Sequence, residues 1–165
     1  MKKIGLISDT HSFLHPRVKH HFKDCDEIWH AGDIGDVTLS DTLKAFKPLR
    51  AVYGNIDGAE IRKEFPKNLR FTIEELDVWI THIGGYPNRY DRRVFDEIHK
   101  NPPKLFICGH SHILKAVNDP KLNCLHLNPG AAGKVGFHQV LTLMRFNLDK
   151  GKILDLEIIE LEKRI

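Results

Sequence analysis

Ile4-Gly5-Leu6-Ile7-Ser8-Asp9-Thr10-His11 is the stretch on which the fold turns. A short apolar run that stops at a polar turn reads as a buried strand of a parallel sheet, and in open α/β sheets ligands sit beyond the carboxyl ends of the strands. Asp9 and His11 therefore fall where chemistry is expected. If the backbone stays extended through them, side chains two apart point the same way, and a carboxylate and an imidazole are offered to one point. On its own the pair is more simply a turn aspartate beside a surface histidine, so the weight rests on what the other strands do.

The pattern recurs along the chain. Residues 27–31 read as a second strand closed by Gly32-Asp33-Ile34-Gly35-Asp36, and residues 49–53 as a third closed by Gly54-Asn55-Ile56-Asp57-Gly58. Helices are expected over 14–22, where Leu14, Val18 and Phe22 recur at helical spacing, and over 37–46, stopped by Pro48. Phe71, Ile73, Val78 and Ile80 predict a hairpin with Leu76-Asp77 near its turn, and its second arm, 78–81, delivers His82. A loop at Gly84-Gly85-Tyr86-Pro87 precedes a helix over 90–99 with Val94, Phe95 and Ile98 as its apolar face, ended by Pro102-Pro103. Residues 104–108 form the expected central strand, which runs into Gly109-His110-Ser111-His112. A strand over 124–127 ends in Asn128-Pro129-Gly130-Ala131, and 138–146 and 153–161 alternate as a β-hairpin around Asp149-Lys150-Gly151. Strands dominate the second half, so a second sheet packed on the first is expected within an α/β fold.

A length of 165 residues suits one α/β domain spanning 1–165. Apolar residues at 41% and charged residues at 28% are ordinary for a globular chain and argue against disorder. The net charge of +3 is spread along the sequence, with no block of like charge that demands nucleic acid or an acidic membrane. Cys25, Cys108 and Cys124 are odd in number and far apart, which argues against a disulfide framework and a thiolate metal site and fits a reducing compartment. Asp9 cuts the first apolar stretch too early for a secretory leader, and no run is long enough to span a bilayer. The expected location is the cytoplasm, with no membrane partner and a composition that neither demands nor excludes nucleic acid; a homo-oligomer stays open.

Five successive strand ends thus present Asp-x-His, Gly-Asp, Gly-Asn-x-Asp, His and Gly-His-x-His in that order. The succession resembles the calcineurin-like metallophosphoesterase superfamily, above all its small bacterial and archaeal phosphodiesterase branch, over roughly residues 4–130. The resemblance implies two packed, mostly β sheets flanked by helices, an αββα sandwich. It implies two divalent metal ions, with Asp9, His11 and His112 at the first, Asn55, His82 and His110 at the second, and Asp33 bridging both. Asp33, Asn55 and His82 would be catalytic. Manganese is what the family suggests, while imidazole and carboxylate ligands without thiolate also suit iron, cobalt, nickel or zinc. The implied reaction is hydrolysis of a small phosphodiester by in-line attack of a metal-bridging hydroxide. Charge agrees with this: two divalent ions outweigh the two aspartates, and a hydroxide leaves about +1 for a phosphodiester anion to neutralise.

Two positions depart from the family. Ile56 stands where many relatives place a histidine, and isoleucine cannot protonate a leaving oxygen. General acid help is worth ~10²–10⁴-fold, so activated aryl diesters are expected to turn over better than esters with alkoxide leaving groups. Ile83-Gly84 follows His82 where close relatives often carry a Gly-His pair, so any substrate contact from that second histidine is missing. Asp57 is left with a turn role or a supporting role behind the ligands. Arg89, Arg92 and Arg93 either reach a substrate phosphate or form a solvated helix face, the second being the simpler account. His15, His20 and His21 read as solvated, and His30, His99, His126 and His138 as structural. The alternative from a different class is a non-catalytic scaffold binding a protein partner, since an endosomal coat subunit of similar size resembles these enzymes but has lost part of the ligand set. The full set here favours the enzyme. A nuclease or protein phosphatase would need a basic groove or a capping domain, and the sequence displays neither.

Overall fold

The computed structural model describes residues 1–164; residue 165, the last of the expected domain, lies outside the described residues. The first part of the chain alternates strand and helix: β1 (Lys2–Ile7), α1 (Val18–Phe22), β2 (Glu27–His30), α2 (Val37–Phe46), β3 (Leu49–Ala51) and α3 (Ala59–Glu64). A hairpin follows, β4 (Asn68–Ile73) and β5 (Leu76–Thr81), then a short ribbon, β6 (Gly85–Tyr86) and β7 (Arg89–Tyr90), and then α4 (Arg92–Lys100). The rest is strand: β8 (Leu105–Ile107), β9 (Lys115–Asp119), β10 (Cys124–Asn128) and the long hairpin β11 (Val140–Asp149) and β12 (Lys152–Lys163). Among the described residues no helix is long and apolar enough to cross a membrane.

These strands form two five-stranded sheets, in the orders β12-β11-β1-β2-β3 and β4-β5-β8-β10-β9. β1, β2 and β3 run parallel in the first sheet, as do β5, β8 and β10 in the second. Alternation along each strand then builds the layers. Ile4, Leu6, Trp29, Val78, Ile80, Leu105 and Ile107 fill the space between the sheets. Ile7 and Ile28 face the other way, into a core shared with Phe22, Leu39, Leu43 and Ile61 of α1, α2 and α3. Trp79 and Phe106 turn outward to Val94 and Ile98 of α4. A strand covered on both faces is apolar at nearly every position, which is why β1 and β8 read as unbroken apolar runs. The result is the expected sandwich of two sheets between helices, with β8 central in its sheet.

At the end of the sandwich away from the carboxyl ends of β1 and β5, the two hairpin turns meet. The Gly151 N–H donates to the Glu74 carbonyl at 2.6 Å, and the amino terminus lies 3.6 Å from the carboxylates of Glu74 and Asp149.

Several local expectations are corrected. The helix expected over 14–22 is confined to Val18–Phe22, because Pro16 disfavours helical backbone at the residue before it. The first hairpin, by contrast, turns near Leu76-Asp77 as expected, through Glu74-Glu75, both with positive φ (50° and 66°). Phe95 is half exposed instead of joining Val94 and Ile98. A ribbon, β6 with β7, stands where a loop was expected, and α3 and β9 were not anticipated. α2 has the expected bounds, with the Asp36 side chain accepting the Leu39 N–H at 3.1 Å to cap it.

Candidate metal centre

Past Ile7 the backbone does not stay extended. Asp9, His11 and Ser12 lie in the left-handed region, with φ of 53°, 46° and 67°, so the period-two argument that joined Asp9 to His11 fails in its premise. Their direction is set by hydrogen bonds to the loop after β2: Asp9 N–H to Gly32 O, His11 N–H to Asp33 O and Ser12 N–H to Ile34 O, at 2.9–3.0 Å. Asp33, His110 and His112 share this conformation, with φ of 56°, 70° and 61°. Backbone of this kind costs about 1–3 kcal/mol per residue and persists where the surroundings over-determine it, often at functional sites.

The two aspartates are buried, and each has one oxygen tied down. Asp9 Oδ2 accepts from the Ser8 hydroxyl at 2.6 Å and from the His110 N–H at 3.1 Å. Its Oδ1 is buried without a hydrogen-bond partner. That oxygen lies 3.2 Å from His112 Nε2, 3.8 Å from His82 Nε2 and 3.9 Å from His11 Nε2. Asp33 Oδ1 accepts from the Ile56 N–H at 3.1 Å, while Oδ2 lies 3.2 Å from His82 Nε2 and 3.5 Å from His11 Nε2. The Ala31 carbonyl holds His82 Nδ1 at 2.7 Å, which leaves Nε2 to face the carboxylates. His110 Nδ1 is 3.0 Å from Asn55 Oδ1. Two groups of donor atoms emerge, Asp9 with His11 and His112, and Asp33 with His82 and His110. All seven ligand positions expected from the sequence therefore lie at one site, Asn55 entering through His110.

The donor set fits divalent cations on grounds internal to the site. Neither aspartate has a lysine or arginine within ion-pair distance among the described residues; histidines are the only basic partners. Asp9 Oδ1, His11 Nε2 and His82 Nε2 are all buried and unpartnered. Leaving such atoms unsatisfied costs about 1–3 kcal/mol each, and a cation between them satisfies all three. Electrostatics points the same way. Burial works to lower the His82 pKa, yet the Asp33 contact and the Asp9 charge hold it above the ordinary value. Burial works to raise that of Asp33, yet the His82 contact and the Ile56 N–H hold it below the ordinary carboxylate range. Burial and the His82 charge push His110 down.

Asp57 resolves as a loop clamp. Its buried carboxylate accepts N–H groups from Gly54, Gly35 and Ile34 at 2.7, 2.8 and 3.2 Å, tying the Asn55 loop to the Asp33 loop. Glycine at 54 and 109 permits close approach: a Cβ at Gly54 would overlap Asp33, and one at Gly109 would overlap Ser8 and Asp9. His30, left as structural, is buried behind the site. Its Nδ1 accepts the Gly32 N–H at 3.1 Å, its Nε2 meets the Thr10 hydroxyl at 3.0 Å, and burial pushes its pKa down to about 4. His138 is held by the Gly133 carbonyl at 2.7 Å, and its ring lies edge-on to His112 at 5.0 Å. Ser8 and Thr10 were not singled out from the sequence; their signal is their place inside the first motif.

Two clefts adjoin the centre. One, of about 250 Å³, runs from Asn55 and His82 past Arg62, Lys67 and Arg93. The other, of about 470 Å³, runs from His110 and His112 to Ile113, Phe137 and His138. Arg89 lines neither; it sits on β7 with its guanidinium 3.5 Å from the Tyr86 hydroxyl. Ile56, 47% exposed, follows Asn55 in the chain, lines neither cleft and has no side-chain proton to give.

Comparison with known proteins adds to this geometry. A family model for the calcineurin-like phosphoesterase superfamily domain matches residues 1–151. A probable metallophosphoesterase of Methanothermobacter thermautotrophicus is 30% identical over 135 residues, 78% of this chain and 76% of that protein. A probable metallophosphoesterase of Methanocaldococcus jannaschii is 31% identical over 134 residues, 78% of this chain and 67% of the other. Among solved structures, an archaeal phosphodiesterase superposes with a TM-score of 0.72 at 22% identity, covering 96% of this chain and 99% of the other. Vps29 of Chaetomium thermophilum gives 0.74 at 16% identity, covering 99% and 100%. At such identities the solved structures share the fold alone.

Proposed function

Because this chain belongs to the calcineurin-like phosphoesterase superfamily, we propose that it is a dinuclear metal-dependent phosphodiesterase acting on small phosphate diesters. One observation carries the reading: the buried, unpartnered Asp9 Oδ1 faces the unpartnered Nε2 atoms of His11 and His82. Asp9, His11 and His112 would hold one ion, and Asn55, His82 and His110 the other. Asp33 would serve both, its Oδ2 lying between His82 and His11. Manganese is the ion of choice among those the donors suit, with iron, cobalt, nickel and zinc as rivals. Such ions supply Lewis acidity toward a phosphoryl oxygen and a hydroxide nucleophile at neutral pH.

The protein's own residues do the positioning. Tying one oxygen of each aspartate leaves the other fixed in direction, and the Ala31 carbonyl fixes the His82 ring so that Nε2 alone is presented. The clamp at Asp57 keeps Asn55 and Asp33 in mutual register. With isoleucine at position 56, the proton for the leaving oxygen comes from solvent, so aryl leaving groups are favoured over alkoxides. Three free, buried cysteines support a reducing compartment, the cytoplasm, as the place of action.

The test is hydrolysis of bis(p-nitrophenyl) phosphate and of p-nitrophenyl phosphate by metal-stripped protein with Mn²⁺ restored, beside Asp33→Asn. Diesterase activity that requires metal and collapses in the variant upholds the reading. A metal-loaded protein inert toward both esters overturns it in favour of a non-catalytic scaffold.

A further inference from the structure

The sequence shows no basic groove because the cations that make one are scattered. Arg62 belongs to α3, Lys67 precedes β4 and Arg93 belongs to α4, yet all three line the cleft that opens beside Asn55 and His82. No aspartate or glutamate lines it. We propose that this cleft is an anion subsite, in which Arg62 and Lys67 hold a second phosphate carried on one arm of the diester. The proposal rests on the phosphodiesterase reading and gives it a substrate class: small diesters that bear a further phosphate.

Arg62 is built into place. Its Nε donates to the Asp57 carbonyl at 2.6 Å and its Nη2 to the Asn55 carbonyl at 3.3 Å, and its guanidinium lies 4.6 Å from the centre of the Tyr53 ring. These partners are neutral, so they fix the group without cancelling its charge, and they leave further N–H donors free. Lys67 has no hydrogen-bond or ion-pair partner among the described residues, and lining the same cleft as Arg62 it gives a second uncompensated charge. Arg93 differs: Asp91 holds it at 3.0 Å, so its charge is balanced. A plain diester carries one negative charge, which the metal centre itself would meet. The cations beyond Asn55 have no counterpart in such a substrate, and a second anion supplies one.

The size and the asymmetry of the site indicate a small molecule rather than a nucleic-acid strand. At about 250 Å³ the cleft takes one substituent, below the usual range for drug-sized ligands. On the other side of the Asn55–His110 contact, the cleft bordered by Ile113, Phe137 and His138 is lined by no lysine or arginine. A strand with a phosphate at every step would find no lysine or arginine lining that second cleft.

The test uses two aryl diesters that differ by one group, thymidine 5′-(p-nitrophenyl phosphate) with and without a 3′-phosphate. The manganese-loaded protein is expected to favour the 3′-phosphorylated ester about tenfold in kcat/KM, mostly through KM, as charge-assisted hydrogen bonds to one phosphate allow. Lys67→Glu abolishes the preference, while Lys152→Glu, the same charge change far from the cleft, retains it. Calorimetric binding of thymidine 3′,5′-bisphosphate to metal-free protein gives a readout independent of turnover, weakened about tenfold by Lys67→Glu alone. Equal kcat/KM for the two esters, or equal losses in both variants, overturns the subsite and leaves the phosphodiesterase reading standing. If neither ester is hydrolysed, that reading fails and the calorimetry decides: weakening confined to Lys67→Glu upholds the anion site, and its absence overturns it.

Discussion

The floor and the rim of the metal centre follow opposite rules. On the floor, Asp9, Asp33 and His82 are buried, and each spends its second polar atom on the backbone or on a buried hydroxyl, so that one atom alone faces the centre. On the rim, Asn55 and His110 are exposed, and their side chains meet each other. The floor atoms are fixed by buried hydrogen bonds, whereas the rim side chains are held only by each other. Loss of a floor residue therefore removes charge and scaffold together, whereas loss of a rim residue removes one donor.

The sharpest way to break this contrast is to substitute both. Asp33→Asn is expected to lower metal content and to cut kcat/KM by ~10³-fold or more, whereas His110→Ala at the rim costs ~10–100-fold. Metal analysis beside diester hydrolysis checks both, and equal losses would erase the distinction. A backbone version follows. Gly54→Ala pushes a Cβ into Asp33 and is expected to weaken metal binding by about 10–100-fold. Gly58→Ala, where a Cβ meets open space, leaves metal binding as it was.

Removing the clamp is the next step down. Asp57→Ala strands N–H groups of Gly54, Gly35 and Ile34 and is expected to cost about 3 kcal/mol in urea unfolding of the metal-free protein. No change would mean that the loops hold their register without it. The smallest effect is in pH. Burial pushes the His126 pKa down to about 4, against about 6.5 in an unfolded chain. The unfolded chain binds that proton more readily, so this contribution to stability is complete above the unfolded value and is lost as pH falls from there toward 4. His126→Phe in metal-free protein is expected to shrink the stability difference between pH 7 and pH 5 by about 1–2 kcal/mol. An unchanged slope would show that His126 is not a neutral core residue.

The strand ends were legible in the sequence because polarity changes abruptly there: Ile7 to Ser8, Ala31 to Gly32, and Cys108 to Gly109 each lie at or one residue past the end of a strand. The candidate donors were legible for the same reason, since Asp9, Asp33, His110 and His112 follow those breaks and His82 follows the end of β5. What sequence could not show was the means of aim. Asp9 and His11 converge through left-handed backbone and bonds to Gly32 and Asp33, contacts between distant segments that leave no periodic trace. The first hairpin turn was legible beside Leu76-Asp77, but neither Glu74 nor Glu75 advertises the positive φ that makes it. The short α3 escaped notice because it shows one buried apolar residue, Ile61, and no repeat. The basic cleft was missed because its charges come from separate elements, and only folding brings Arg62 to Lys67.

The sandwich is fastened at one end, where Gly151 meets Glu74 and the amino terminus sits near Glu74 and Asp149. The donor atoms straddle the other end, Asp9, His11, Asp33 and Asn55 from one sheet and His82, His110 and His112 from its partner. That end is tied as well, by His82 Nδ1 to the Ala31 carbonyl, the His110 N–H to Asp9 Oδ2 and His110 to Asn55. The sandwich is thus a beam pinned at both ends, with the apolar layer between the sheets as its web. The donors belong to the pin itself, so an ion held among them would rivet a joint that the protein has already closed.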